Sequence, residues 1–107
     1  MALPLELRIN GRRSFDEFRK KGLFISGCDI ALKIVGEKER RGFAFAIPKK
    51  VGNAVKRNRL RRVMSEFIRL ESGLFPDNKH YLLIVRGREP REKAILAELR
   101  ELAGGLR

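Results

Sequence analysis

The sequence of 107 residues predicts a single domain that combines helices with β-strands. Residues 28–35 and 42–48 alternate apolar side chains with other side chains, which is typical of strands with two different faces. Between Leu60 and Ile68, apolar residues recur at spacings of three and four, which indicates an amphipathic helix. Residues 81–85 are continuously apolar, so we expect an interior strand that is covered on both faces.

The N-terminal part of the chain predicts a basic arm followed by a short helix. Residues 1–13 form the arm. Ser14 precedes Glu17 by three residues, which is the pattern of a capping box at a helix start. The helix is therefore expected over residues 15–21, and Gly22 is expected to end it in the left-handed conformation.

Three strands are expected after this helix. A short strand at residues 23–25 precedes the alternating strand at 28–35, in which Cys28 is interpreted as a core thiol of a protein from a reducing compartment. Residues 36–41 are charged and predict a solvated hairpin connection to the strand at 42–48. That last strand has large side chains on one face and small ones on the other.

The small-residue face allows two interpretations. Ala44, Ala46 and Pro48 lie on it, and Lys33 of the preceding strand is expected on the same side. A flat face of this kind leaves room for a ligand. Alternatively, the first helix packs closely against it, and if both hold, a cleft forms between helix and sheet.

The second half of the chain predicts a long helix, a strand and a last helix. The long helix is expected to run to about Glu71, and residues 81–86 form the next strand, with His80 at the surface before it. Pro90 is expected at the first position of the last helix, which Gly104 and Gly105 end. Strand, helix and strand in this order imply a parallel crossover, which generic rules make right-handed.

The most distinctive segment covers residues 49–62. Seven of its fourteen residues are cationic and none is acidic. Asn53 is the expected N-cap of the long helix, so the cations cluster at its N-terminal end, where the helix dipole disfavours positive charge. With no carboxylate nearby in the sequence, we expect an anion to bind there, and phosphate is the best candidate. The alternative is a solvated basic face.

The overall charge also indicates a polyanionic partner. Lysine and arginine outnumber aspartate and glutamate by 25 to 13, which gives a net charge of +12. Nucleic acid is favoured over a membrane, because no apolar run approaches the roughly 20 residues that span a bilayer and no secretory signal is visible. A DNA-binding regulator is disfavoured, since strands precede the one basic helix and no helix-turn-helix spacing occurs.

Two aromatic residues in the first helix also allow two interpretations. Phe15 and Phe18 lie three residues apart on one helical face beside several cations. They form either part of the core or a platform on which unpaired bases stack. No catalytic site of the protein's own is expected, because the chain has one histidine and no metal-ligand spacing.

The segment Lys-Lys-Val-Gly-Asn-Ala-Val-x-Arg-Asn-Arg-x-x-Arg, from Lys49 to Arg62, resembles the signature of the bacterial ribonuclease P protein subunit. The order of predicted elements also fits that family along nearly the whole chain. The resemblance implies an α+β, single-domain αβββαβα sandwich over residues 1–107, ribosomal-protein-like, with a left-handed βαβ crossover in place of the generic right-handed one.

The resemblance also implies the function. In this family a small basic protein binds a catalytic RNA, and that RNA with Mg²⁺ removes the 5′ leader from precursor tRNA. The implied partners are therefore the catalytic RNA and precursor tRNA, with no membrane and no obligate protein partner, and the implied location is the cytoplasm. Mg²⁺ is expected to be bound mainly by the RNA, with no metal site and no catalytic residue in the protein. The alternative is a non-catalytic RNA-binding module of ribosomal-protein type.

Two sets of site residues follow from the resemblance. The residues expected to contact the catalytic RNA are Lys49, Lys50, Asn53, Lys56, Arg57, Asn58, Arg59, Arg61 and Arg62. The residues expected to line a cleft for the single-stranded leader are Arg12, Arg13, Phe15, Phe18, Arg19, Lys33, Ala44, Ala46 and Pro48. Arg19 and Lys33 stand where the family often has aromatic residues, and Pro48 stands where it commonly has serine. Leader binding is therefore expected to depend more on phosphate contacts and on salt.

Overall fold

The computed structural model describes residues 7–9 and 12–106, with the side chains of residues 12–15 outside the described part. Helices and strands follow one another in the predicted αβββαβα order. The elements are α1 (Arg12–Lys21), β1 (Leu23–Ser26), β2 (Ile30–Val35), β3 (Gly42–Ala46), α2 (Ala54–Glu71), β4 (His80–Val85) and α3 (Glu92–Gly104). Short 3-10 turns lie at Lys49–Val51 and Ser72–Leu74.

The four strands form one sheet in the order β1-β2-β4-β3. Strand β4 is antiparallel to β2 and parallel to β3, so the predicted interior strand and the predicted parallel crossover are both confirmed. The handedness of that crossover stays a prediction. The expected hairpin at residues 36–41 is wrong, because β4 lies between β2 and β3. A strand that is apolar on both faces suits this central position, since core clusters cover both sides of the sheet there.

The two faces of the sheet are covered by different helices. The larger core cluster joins β-strand residues such as Phe43 and Tyr81 to Leu60 of α2 and Ile95 of α3. At its centre the rings of Phe43, Phe75 and Tyr81 lie 5.1 to 5.2 Å apart between centroids. This packing buries the large-residue face of the sheet, as the sequence predicted.

A smaller cluster lies on the opposite face, beneath α1. It consists of Ile9, Phe18, Val35, Ala44 and Leu82. Phe18 is 1% exposed and is the residue that α1 contributes to this cluster among its described side chains. Helix α1 therefore packs against the small-residue face, which was one of the two expectations for that face.

Helix α1 begins earlier than predicted. Ser14 is its third residue and therefore is not an N-cap. The carboxylate of Glu17 instead accepts hydrogen bonds from the Lys38 ammonium at 2.6 and 2.7 Å, and this partner lowers the pKa of Glu17. The expected capping box is wrong, because a contact with the loop at residues 36–41 takes the carboxylate.

Gly22 follows α1 as predicted but for a different reason. Its φ is not in the left-handed region, since Gly87 is the glycine with positive φ in the described part of the chain. The Gly22 N–H donates to the Phe18 carbonyl at 3.1 Å, and a Cβ on Gly22 would lie 2.4 Å from that oxygen. Close approach of the backbone, and not a left-handed φ, therefore requires glycine here.

Part of the expected basic arm is structured. Arg8 forms a parallel bridge with Phe43 of β3, and the Ile9 N–H donates to the Phe43 carbonyl at 3.1 Å. Residues 12 and 13 belong to α1. The rest of the predicted arm, at residues 1–6, 10 and 11, lies outside the described residues.

The expectation of a core thiol at Cys28 is wrong, because this residue is exposed. Strand β2 begins at Ile30, and the turn before it closes with a hydrogen bond from the Gly27 N–H to the Ile30 carbonyl at 2.7 Å. The Glu98 carboxylate of α3 accepts from the Asp29 N–H at 3.0 Å. These contacts fix the turn and leave Cys28 outside the alternating pattern.

The C-terminal elements lie close to their predicted positions. Helix α2 ends at Glu71, and α3 ends at Gly104 with Gly105 after it, as expected. Helix α3 begins at Glu92, so Pro90 precedes the helix and is not its first residue. His80 begins β4 and is half-buried. Burial of its imidazole lowers the pKa of His80 most, and the positive charges of Lys38 and Arg40 lower it further. Within the described ranges, the helices are too short or too polar to cross a membrane.

The core position of Phe67 gives a stability prediction. Its side chain is 7% exposed, so replacement by alanine leaves a cavity between α2 and the rest of the core. Phe67→Ala is expected to lower the free energy of unfolding by about 3–5 kcal/mol. Leu70→Ala, on the same helix but 67% exposed, is expected to change it by less than about 0.5 kcal/mol. Urea denaturation checks both values, and equal losses for the two variants would contradict the assigned packing.

Tyr81 gives a pH prediction. Its hydroxyl donates to the Pro76 carbonyl at 2.5 Å, and burial raises the pKa of Tyr81 to about 12. Above pH 10 the unfolded tyrosine loses its proton while the folded one keeps it, so the folded state loses stability as pH rises from 10 to 12. The expected slope is up to about 1.4 kcal/mol per pH unit. Tyr81→Phe should remove the part of this pH dependence that the Tyr81 hydroxyl causes. The check is the unfolding free energy of both proteins measured over the same pH range, and identical slopes would refute the prediction.

Candidate nucleic-acid interface

Most of the predicted RNA-contacting residues lie at the exposed start of α2. We call this set the cationic surface: Lys49, Lys50, Asn53, Lys56, Arg57, Asn58, Arg59, Arg61 and Arg62. Lys56 and Arg57 are half-buried and the other seven are exposed. The apolar stripe of the same helix, from Leu60 to Ile68, is packed in the core, which holds the helix in place.

The start of α2 is fixed by side-chain contacts with the backbone. Asn53 is the N-cap, as predicted, and its side-chain oxygen accepts a hydrogen bond from the Lys56 N–H at 2.9 Å. Arg57 donates from Nη1 to the Gly52 carbonyl at 2.9 Å. Asn53 and Arg57 therefore hold the N-terminal turn as well as contributing polar groups to the surface.

The expectation that no carboxylate lies near these cations is wrong for two of them. The Arg59 guanidinium donates to Glu92 at 2.5 Å, which raises the pKa of Arg59. The ammonium of Lys56 lies 3.9 Å from the Glu89 carboxylate. Both acids are about 30 residues away in the sequence, and the Glu89 N–H donates to the Val51 carbonyl at 2.9 Å, which holds this loop beside α2.

These pairs leave part of the cationic surface free. The Arg59 pair is solvent-exposed and therefore screened by water and salt. Arg61 and Arg62 are exposed, and in the described part of the chain their side chains make neither an ion pair nor a hydrogen bond. Two guanidinium groups are thus directly available to an anionic ligand, and their planar forks suit phosphate oxygens.

A second candidate surface lies on the side of the sheet that carries α1. Strand register places Phe24, Lys33, Leu82 and Ala44 in one row across the four strands. Residues directly opposite one another share a face, so the whole row lies on the α1 side. Leu82 and Ala44 are buried beneath Phe18 in the smaller core cluster, whereas Lys33 is half-buried and Phe24 is exposed.

The next row is less covered. It contains Ser26, Ala31, Ile84 and Ala46, of which Ser26 is exposed while Ile84 and Ala46 are half-buried. Pro48 is exposed just beyond this row. We call the uncovered part of this face the open sheet face, and its residues are Phe24, Ser26, Lys33, Ile84 and Ala46.

The structure separates the predicted leader-cleft residues into three groups. Phe18 and Ala44 are buried, which supports the core interpretation of Phe18 and corrects the expectation that both line a cleft. The cause is direct packing of α1 on the sheet. Lys33, Ala46 and Pro48 remain accessible, as does Arg19, which pairs with Asp16 at 3.2 Å. The side chains of Arg12, Arg13 and Phe15 lie outside the described part.

Sequence reasoning missed several accessible residues near the open sheet face. Phe24 and Ser26 belong to it through strand register, which the sequence does not show directly. Arg86 and Arg88 are exposed immediately after β4. Because β3 and β4 are parallel, both arginines lie at the end of the sheet where β3 also ends. The sequence did contain a signal for Arg86 and Arg88. Both cations come at or just after the end of the strand at residues 81–86, which was predicted to run parallel to the strand at residues 42–48.

A metal ion held by the protein itself needs several ligand side chains close together. Among residues 7–9 and 12–106, no group of three or more histidine, cysteine, aspartate or glutamate side chains could hold one.

The sequence is similar to known proteins along nearly its whole length. The sequence profile of the Ribonuclease P family matches residues 3–107. The ribonuclease P protein component of Shouchella clausii is 33% identical over 98 residues, which cover 89% of this chain and 78% of the relative. That of Desulforamulus reducens is 50% identical over 46 residues, which cover 43% of this chain and 41% of the relative. In the latter match the chain therefore spans less than half of the relative.

Solved structures show the same fold. The RNase P protein from Thermotoga maritima superposes with a TM-score of 0.82 at 19% identity, over 94% of this chain and 97% of that one. The RNase P protein from Staphylococcus aureus gives a TM-score of 0.79 at 22% identity, over 89% and 90%. The α+β sandwich is thus shared with these proteins, and the profile match extends over residues 3–107. The chain belongs to the ribonuclease P protein family.

Proposed function

We propose that this chain is the protein subunit of ribonuclease P and that it holds two different RNA segments. The cationic surface binds the catalytic RNA, and the open sheet face binds the single-stranded 5′ leader of precursor tRNA. The complex then removes the leader endonucleolytically and produces the mature 5′ end. The observation that carries this proposal is the exposed pair Arg61 and Arg62 on a helix whose sequence matches the family signature.

Electrostatics supports the first half of the proposal. Two exposed guanidinium groups, Arg61 and Arg62, and two exposed lysines, Lys49 and Lys50, lie on one short stretch of chain. Each phosphate that they neutralise releases counterions from the RNA, so binding is favoured by entropy and weakens as salt rises. The exposed Arg59–Glu92 pair can exchange its carboxylate for a phosphate, because water and salt already weaken it.

The accessible groups on the other side of the sheet support the second half. A single strand presents both phosphates and unpaired bases, and the open sheet face offers a cation at Lys33 on β2 and a small side chain at Ala46 on β3. Arg19 is exposed on α1, whose side chain Phe18 packs on the same face. Cations at these two positions favour phosphate contacts, which carry little base preference.

Mg²⁺ has a defined place in this proposal. It would be held by RNA phosphates, which it prefers to a dedicated protein cage, and it would supply the charge stabilisation for phosphodiester hydrolysis. The residues of this chain position RNA and screen the repulsion between its phosphates. The cleavage itself is assigned to the RNA subunit, in the cytoplasm.

Reconstitution tests the proposal against its alternative. The protein is mixed with a bacterial ribonuclease P RNA and labelled precursor tRNA at a Mg²⁺ concentration at which the RNA alone is slow. Stimulated cleavage at the mature 5′ end supports the proposal. Binding to the RNA without any stimulation would instead support an RNA-binding module of ribosomal-protein type.

The free arginine pair gives a quantitative prediction. Arg61→Ala combined with Arg62→Ala should weaken association with the catalytic RNA and reduce the slope of log K against log salt by about two. Both side chains are exposed, so the unfolding free energy should change by less than about 0.5 kcal/mol per site. Filter binding over a salt series measures the slope.

The matched control is Arg69→Ala on the same helix. Arg69 is also exposed but is paired with Glu66, and it lies on the C-terminal half of α2, away from the cationic surface. Its removal should leave the slope nearly unchanged. Two results would place the RNA contact elsewhere. One is a wild-type slope in the double variant, and the other is a control whose slope falls by about as much as the loss expected for one arginine of the pair.

A further inference from the structure

Phe24 is unusual among the aromatic residues of this chain. Its side chain is 52% exposed, whereas Phe18, Phe43, Phe67, Phe75 and Tyr81 are buried. Phe45 is partly buried against the larger cluster. Among the aromatic side chains that the structure describes, Phe24 therefore offers the largest free ring surface.

The position of Phe24 on the sheet gives this ring a specific neighbour. Strand β1 is the edge strand, and Phe24 lies directly opposite Lys33 of β2. Opposite residues in an antiparallel pair have Cβ atoms about 4.5–5.5 Å apart and point to the same face. The side chains of Phe24 and Lys33 therefore leave the backbone side by side on the open sheet face. Leu23, the preceding residue, belongs to the opposite face.

The open sheet face extends from this edge across the sheet. The adjacent row runs from Ser26 on β1 to Ala46 on β3, a distance of about 14 Å for three strand spacings. Within this row Ser26 is exposed, Ala31 is buried, and Ile84 and Ala46 are half-buried. Pro48, Lys49 and Lys50 follow β3 at the far end of the row. Phe24 therefore stands at one end of a shallow path whose other end leads to the cationic surface.

We propose that Phe24 is a base-stacking residue for the single-stranded leader, with Lys33 contacting an adjacent phosphate. This inference rests on the proposed function and names a residue that determines leader affinity. Stacking on an exposed ring suits a single strand because every base has a π-face, whereas the bases of a duplex are already stacked. The ring at Phe24 would supply stacking in a cleft where Arg19 and Lys33 supply charge.

Charge favours RNA over a second copy of this chain at the same edge. Exposed edge strands with apolar residues can pair with one another, and Leu23 is also 63% exposed. However, Lys20 and Lys21 end α1 just before β1, and Lys33 lies across from Phe24. Two chains of net charge +12 that met here would bring these cations together, while RNA phosphates would neutralise them.

The test uses the enzyme reconstituted with its catalytic RNA. Dissociation constants are measured for precursor tRNA with a leader of several nucleotides and for the same tRNA without a leader. Phe24→Ala is expected to weaken binding of the leader-bearing tRNA by between about 5-fold and about 100-fold. Binding of the leaderless tRNA is expected to stay within 2-fold of wild type, at about the precision of the assay.

Two kinds of control make the test specific. Leu23→Ala removes another exposed apolar side chain from the same strand but from the other face, and it should leave leader affinity unchanged. Phe24→Trp should retain leader affinity and Phe24→Leu should lose it, since leucine covers the strand without offering a ring. This second pair decides the question even if the alanine variant fails to fold.

Several outcomes would overturn the assignment. Wild-type leader affinity in Phe24→Ala or in Phe24→Leu would show that no ring is needed. A free protein that sediments as a dimer only while Phe24 is present, with unchanged leader affinity, would assign the ring to a second copy. The proposed function is judged separately in the same assay, by whether the wild-type protein stimulates cleavage at all.

Discussion

The unequal covering of the two faces of one sheet is the constraint on which the structure depends. Helices α2 and α3 together bury the face that carries Phe43 and Tyr81. Among the residues that the structure describes, α1 and the short segment around Ile9 cover the other face, and a helix of 10 residues is about 15 Å long. That length covers Leu82 and Ala44 but leaves Phe24, Lys33, Ile84 and Ala46 accessible on the same face. The open sheet face is thus a consequence of a short first helix.

The same sheet also fixes where the cations are displayed. Strand β3 leads through the turn at Lys49–Val51 into α2, whose apolar stripe is anchored in the larger cluster. The N-terminal turn is then held by Asn53 and Arg57, and its positive charge is only partly offset by Glu89 and Glu92. Like charges held at the positive end of a helix dipole favour an anionic partner, because binding relieves their repulsion.

Much of this arrangement is visible in the sequence, and the exceptions have physical causes. Periodicity located α2 and β4 because each packs through a continuous apolar pattern, and Asn53 was identified as a cap by its position before that pattern. The carboxylates of Glu89 and Glu92 were missed, since their approach to α2 depends on tertiary contacts. For Phe18 the sequence left two interpretations open, and the core interpretation holds because α1 packs directly on the sheet. Cys28 was expected in the core but is exposed, because the turn held by Glu98 leaves the thiol outside.

The central claim is that two faces of one small domain hold two different RNA segments. Site-directed hydroxyl-radical cleavage tests it most directly, with a tethered iron chelate on a Cys28→Ser background. From Ser26→Cys, on the open sheet face, the reagent should cut the leader of bound precursor tRNA. From Asn58→Cys, on the cationic surface, it should cut the catalytic RNA and leave the leader intact. Cleavage of the same RNA segment from both positions would contradict the claim.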